Sequence, residues 1–244
     1  MVSSYNKRKF KIFAIHQPNY LPWLGYFYKI AKSDIFVFLD IVQYPRGQSF
    51  AARNRIKTPN GSSFLTIPIS IPHGFSGMVG YNQVKFANDK WKKKHLKTIE
   101  FCYKKSKFFT EIFSLLLTEI DRHQSLVDLN IGLIDAICNY LKIKTKCIRL
   151  SEILTDVRQK TELIIDIGKA VDGNIYLSGQ GGGHDYNDEK LLTENDIRLI
   201  YSDFKHPNYP QLWGAFESHL SIIDLLFNCG PDSSQILLKS TSPS

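Results

Sequence analysis

The chain has 244 residues, of which 43% are hydrophobic and 22% charged, a composition that suits one large α/β domain and excludes a disordered chain. Its net charge of +8 gathers at residues 7–11 and 90–107, yet no zinc-finger or RNP signature accompanies it, so an anionic small molecule or an acidic carrier protein is expected rather than nucleic acid. No apolar run nears the ~20 residues of a membrane span, no signal-peptide core opens the chain, and Cys102, Cys138, Cys147 and Cys229 lack CxxC spacing, which together point to a cytoplasmic protein with free thiols and no membrane span.

A short apolar run, residues 12–15, ends on His16 and Gln17. A loop punctuated by Pro18 and Pro22 follows, then a helical pattern over about 24–32, broken by Ser33 and Asp34. A second apolar run, 35–39, ends on Asp40. Strand, loop, helix and strand in this order read as a βαβ unit, whose parallel strands require such a crossover. Ligands of open α/β sheets bind outside the carboxyl ends of the strands, where His16 and Asp40 fall.

Beyond Asp40 the pattern turns antiparallel. Residues 49–56 and 64–71 read as strands joined at Thr58-Pro59-Asn60-Gly61, with Arg53 and Arg55 on one face and Asn54 on the other. Residues 74–80 read as a flexible loop. Three helices are expected at 88–103, 106–120 (capped by Ser106) and 126–141, and His95 falls on the apolar stripe of the first with Trp91, Ile99 and Cys102. A strand at 145–150, a helix at 161–171 and a strand at 174–177 repeat the βαβ logic, with a further strand at 197–201. The fold class is therefore α/β: a Rossmann-like parallel sheet core with an antiparallel β insertion and a helical segment. One domain is expected over 1–232, with its helical part at about 88–141, followed by a Ser-rich tail at 233–244.

Three further stretches carry candidate chemistry. Ser178, Gly179, Gln180 and Gly181 open a glycine-rich loop directly after a strand; such loops let backbone N–H groups approach an anion, although neither a Walker A motif nor GxGxxG is present. His206, Tyr209 and Gln211 sit in a loop stiffened by Pro207 and Pro210. A final helix is expected over 214–228, on which Glu217, Ser221, Asp224 and Asn228 form one polar line against a wide apolar face. A metal site is not expected, because the histidines are dispersed and HExxH and CxxC are absent.

The string IHQPNYLPWLGYFYKIAKSDIFVFLDIVQYPRGQSFAARNRIK (residues 15–57) resembles the opening of the WbqC-like family. The likeness continues in YLSGQGGGHDYND (176–188), FKHPNYPQLWGAF (204–216) and LSIIDLLFNCG (220–230). Proteins of that family are usually encoded among bacterial genes for surface-polysaccharide synthesis, so the resemblance implies a role in making modified sugars. The layout around HQPNYLPWLGY is also similar to nucleotidylyltransferases of Rossmann-like fold, but their HxGH pair is missing.

These signals lead to a transferase that moves an acyl or aminoacyl group onto an amino sugar or sugar nucleotide. It would need a general base and oxyanion donors. His16 is the expected base, with His95 second and Asp40 or Asp224 orienting it. Substrate contacts are expected from Gln17, Asn19, Tyr20, Gln43, Arg53, Lys57, Ser178, Gly179, Gly181, Tyr186, His206, Tyr209, Gln211 and Ser221, with the 179–183 loop, Arg53 and Lys57 holding phosphates or a carboxylate. No cofactor is evident beyond an acyl or aminoacyl donor, CoA or an acyl carrier protein. Two alternatives stand beside this reading: Mg²⁺-dependent nucleotidyl transfer, and a non-catalytic binding or scaffold protein of the same pathway.

Overall fold

The computed structural model describes residues 10–45, 47, 49–71, 79–181 and 187–239. Five parallel strands form the central sheet: β1 (Ile12–His16), β2 (Ile35–Phe38), β7 (Lys146–Arg149), β8 (Ile175–Ser178) and β9 (Arg198–Tyr201). Their spatial order is β7-β2-β1-β8-β9, so the chain winds outward in one direction from β1 and then returns to wind in the other. The expected Rossmann-like core is present. The reversal lies between β1 and β8, which pair through Ile12 with Ile175 and Phe13 with Tyr176.

The strands are apolar on both faces because both faces are covered. Period-two alternation sends Ala14, Phe36, Phe38 and Leu177 into one core and Phe13, Ile15, Ile35, Val37 and Tyr176 into the other. The first and larger core is closed by α1 (Leu24–Ala31), by the helices α2 (Lys90–Tyr103), α3 (Phe109–Arg122) and α4 (Leu126–Tyr140), and by α7 (Ile222–Cys229). The second is closed by α5 (Lys160–Ala170) and α6 (Glu189–Glu194), through Leu163, Ile164, Ile167 and Leu192. Each fully buried phenylalanine in these layers contributes about 1.5–3 kcal/mol.

The antiparallel insertion is a hairpin of β3 (Arg53–Thr58) and β4 (Gly61–Thr66), with Thr58 opposite Gly61 across the expected turn. A second small ribbon pairs β5 (Ile69–Ser70) with β6 (Lys85–Phe86). Most of the loop read at 74–80 lies outside the described residues. Among the described residues, no helix is long and apolar enough to cross a membrane.

Three local expectations differ from what is observed. The last long helix begins at Ile222 rather than at 214, because Trp213, Gly214 and His219 all adopt positive φ (65°, 60° and 59°), a conformation no α-helix contains. Ser221 is its N-cap, and Gly230 ends it at φ 53°. The expected polar line is therefore not a line on one helix: Glu217 precedes the helix, and only Asp224 and Asn228 lie within it. Ser106 does not cap α3; its hydroxyl donates back to the Tyr103 carbonyl at 2.7 Å, and the helix starts at Phe109. The segment set apart as a Ser-rich tail opens as another helix, α8 (Ser233–Leu238), with Ser233 and Leu237 buried.

Candidate functional site

A cleft of about 1370 Å³ opens at the carboxyl ends of β1 and β8, where the strand order reverses. This is where an open α/β sheet has room for a ligand, since the loops after the two strands diverge to opposite faces. His16 and Gln17 enter it from β1, Ser178, Gly179 and Gly181 from β8, and Gln43 from the stretch after β2.

His16 is half-buried between the rings of Trp23 and Tyr26, at centroid distances of 5.7 and 4.9 Å. Its Nδ1 lies 2.9 Å from the Gln17 carbonyl. A carbonyl only accepts, so Nδ1 carries the proton and Nε2 keeps its lone pair. Burial, reinforced by the nearby Lys29 ammonium, pushes the imidazole down to about 3, so the ring is neutral at physiological pH. The orienting partner is thus a backbone carbonyl and neither expected carboxylate. Asp40 is buried and turns from the cleft to accept from the Ser151 backbone N–H (3.0 Å) and hydroxyl (2.6 Å), where it fixes the turn after β7.

Asp224 belongs to a separate buried network. It is fully buried, one oxygen accepts from the Tyr103 hydroxyl at 2.9 Å, and burial raises its carboxyl to about 6. Its other oxygen and the Tyr209 hydroxyl are both sealed from solvent without a hydrogen bond of normal geometry. Lys57 is tied there by its ammonium to Gln211 Oε1 (2.9 Å) and to the Ala215 carbonyl, and its backbone N–H donates to Tyr103 (3.0 Å). Gln211 also bridges the backbone N–H and carbonyl of Glu217, each at 2.9 Å. None of these groups lines the cleft, and Arg53 stands apart as well, its guanidinium 4.4 Å from the Phe64 ring centre. The phosphate-holding role expected of Arg53 and Lys57 has no geometric basis at this cleft.

His95 also lies outside the cleft. Nε2 donates to the Thr66 carbonyl at 3.1 Å, which leaves Nδ1 to accept from the Tyr20 hydroxyl at 3.0 Å, so both nitrogens are committed. Burial lowers its pKa to about 4. Asn19 and Tyr20 are buried beneath the Pro-rich loop rather than presented to a ligand, and Ser221 is a helix cap. His206 uses Nδ1 on the Pro207 carbonyl (2.9 Å) and accepts the His219 backbone N–H on Nε2 (3.1 Å), thereby seating His219 at the cleft wall. Tyr186 and the glycines at 182 and 183 lie outside the described residues.

The cleft also contains groups that sequence reasoning missed. Asn187 and Ser202 join the β8 side: Asn187 donates to the Ser178 hydroxyl (3.1 Å), and Gln180 of the expected loop donates to the Ser202 carbonyl (2.6 Å). Lys29 of α1 lies in the floor, and Arg158 and Lys160 approach from the segment that enters α5. Lys29 did carry a signal, as the single charged residue of the helix LGYFYKIA. The described lining holds these three cations and no Asp or Glu. Among the described residues, no group of three or more His, Cys, Asp or Glu is placed to hold a metal ion.

The fold and the site define a doubly wound α/β protein with a cleft at its switch point whose described lining includes Lys29, Arg158 and Lys160. The chain belongs to the WbqC-like protein family, whose sequence profile matches residues 17–236. It is 35% identical over 228 residues to an uncharacterized protein of Mycobacterium tuberculosis, an alignment covering 92% of this chain and 96% of that one. No solved structure matches it.

Proposed function

We propose that the protein is a transferase of surface-polysaccharide sugar biosynthesis, moving an acyl or aminoacyl group onto an amino sugar or sugar nucleotide with His16 as general base. The observation that carries this reading is a neutral imidazole whose Nε2 lone pair is unengaged among the described residues, at the carboxyl end of β1 in a roomy cleft. Family membership supports the pathway, and Lys29 and Lys160, which have no acid partner among the described residues, support a substrate that bears phosphate.

In the reaction, the substrate amine attacks the donor's carbonyl carbon and forms a C–N bond. The adduct nitrogen is then cationic and far more acidic than the free amine, so even an imidazole of lowered basicity can take its proton. A phosphate bound nearby would raise that basicity by favouring the imidazolium. Collapse of the adduct expels the donor's leaving group, a thiol if CoA or an acyl carrier protein is the donor. Backbone N–H groups of Gly179 to Gly181, which line the cleft, would meet the oxyanion.

The test pairs amine-bearing nucleotide sugars with acyl and aminoacyl donors and follows the product mass. His16→Asn can keep the bond to the Gln17 carbonyl, so its melting temperature should hardly move, while the rate falls by about 10²–10⁴. Unchanged turnover in His16→Asn removes His16 as the base. Absence of product with every pairing favours a binding protein instead.

A further inference from the structure

Lys29 is a buried amine that meets no acid among the described residues. Only 6% of it is exposed, its ammonium donates to the Ile15 carbonyl at 3.0 Å, and it stands 5.9 Å from the Phe36 ring centre. No carboxylate pairs with it among the described residues. The neighbouring groups offer no negative charge: His16 from β1 is neutral, Tyr26 on its own helix is held protonated by burial, and so is Tyr176 from β8. Asp135 of α4 acts on Tyr26 and not on Lys29. At the rim, the Arg158 guanidinium is already engaged by Asp166, whereas Lys160 has no such partner among the described residues. An ammonium has three N–H donors, and one is used here.

We propose that Lys29 anchors an anionic group of the substrate, a phosphate or diphosphate, which becomes its counter-ion. The inference deepens the sugar-nucleotide reading above and rests on it. It assigns the charge recognition to a residue of α1 that lines the same cleft as His16, instead of to Lys57. An anion there would tether the substrate in the cleft that His16 enters.

A consequence follows from burial, which lowers the Lys29 ammonium to about 7. The anion binds the charged form and raises its pKa. Above neutrality the free protein has lost that proton and must regain it on binding, so affinity falls as pH rises, approaching about tenfold per unit. Below neutrality the amine is already charged, and affinity levels off.

Binding of UDP- and dTDP-linked sugars is measured by calorimetry between pH 6.5 and 8.5, in buffers of different ionisation enthalpy. The diphosphate diester of these probes does not titrate in that range, so proton uptake reports the protein. The parent protein should take up close to one proton per ligand at pH 8 and lose affinity with rising pH. Lys29→Met should stay folded, as judged by thermal unfolding, bind at least about tenfold more weakly at pH 6.5, and take up no proton at Lys29's range. Lys29→Arg, charged at every pH, should bind without pH dependence. If the parent binds and Lys29→Met matches it in affinity and proton uptake, the anchor is refuted while the sugar-nucleotide reading survives. If neither probe binds the parent protein, both fall together.

Discussion

Asp224→Asn separates a buried carboxylate from a solvated one by the pH at which it matters. Burial raises the Asp224 carboxyl from 3.8 to about 6 in the folded protein, against the opposing pull of the Tyr103 hydroxyl and Lys57. The folded state therefore holds this proton more tightly than the unfolded chain does. Below pH 4 both states carry it, and there is no penalty. As pH climbs through the window from about 4 to 6, the unfolded chain releases it first, so stability falls. Above 6 the loss is constant. A shift of about two units at 1.36 kcal/mol each amounts to roughly 3 kcal/mol. Asn keeps the shape and an acceptor for Tyr103 but has no proton to lose. The variant should thus gain on the parent by about 3 kcal/mol between pH 4 and 7, equivalent to roughly 6–12 °C in melting temperature for a chain of this size. Any cost of the new amide is the same at all pH values and cancels in this difference. Denaturant unfolding of both proteins at pH 4, 5, 6 and 7 measures it. A difference that stays flat within about 0.5 kcal/mol would refute the argument that burial raises the Asp224 carboxyl.

Two further substitutions test the remaining assignments. His95→Leu leaves the fully buried Tyr20 hydroxyl without its acceptor and should cost about 1–3 kcal/mol in denaturant unfolding, while ligand binding at the cleft stays as in the parent; lost binding at unchanged stability would restore His95 to the site. Gly230→Ala forces a side chain onto φ 53° and drives its Cβ into the Phe108 ring. Strain and overpacking together should cost about 2–6 kcal/mol, and a melting temperature equal to the parent's would show that the helix end relaxes freely.

Much of the architecture was legible because it depends on local pattern. Apolar runs of four or five residues ending on polar groups, separated by helical periodicity, identified β1, α1 and β2, and shorter apolar stretches on either side of a helical pattern identified β7, α5 and β8. Thr58-Pro59-Asn60-Gly61 identified the hairpin turn because few residues suit that backbone. His16, Gln17, Ser178, Gly179 and Gly181 came together as expected, since strand ends in a parallel sheet share one rim. The helix start at Ile222 was not legible, because positive φ at Trp213 and His219 is imposed by contacts distant in sequence. Those contacts include the His206 ring on the His219 backbone.

The sequence by itself determined the order of elements, the alternation that feeds two cores, and the rim on which His16 stands. The tertiary structure alone decided which polar groups meet there. Asp40 sits one residue past an apolar run like a site residue, yet Ser151, 111 residues away, claims both its oxygens. Lys57 and Asp224 look like a phosphate ligand and a carboxylate that orients the base, yet they are buried in one network with Tyr103 and Gln211. Lys29 looks like an ordinary helical lysine, yet the sheet covers it and leaves its charge facing a cleft lined, among the described residues, by no acid. Burial and pairing depend on which surfaces the completed fold presses together, and residue type and spacing along the chain carry no record of that distance.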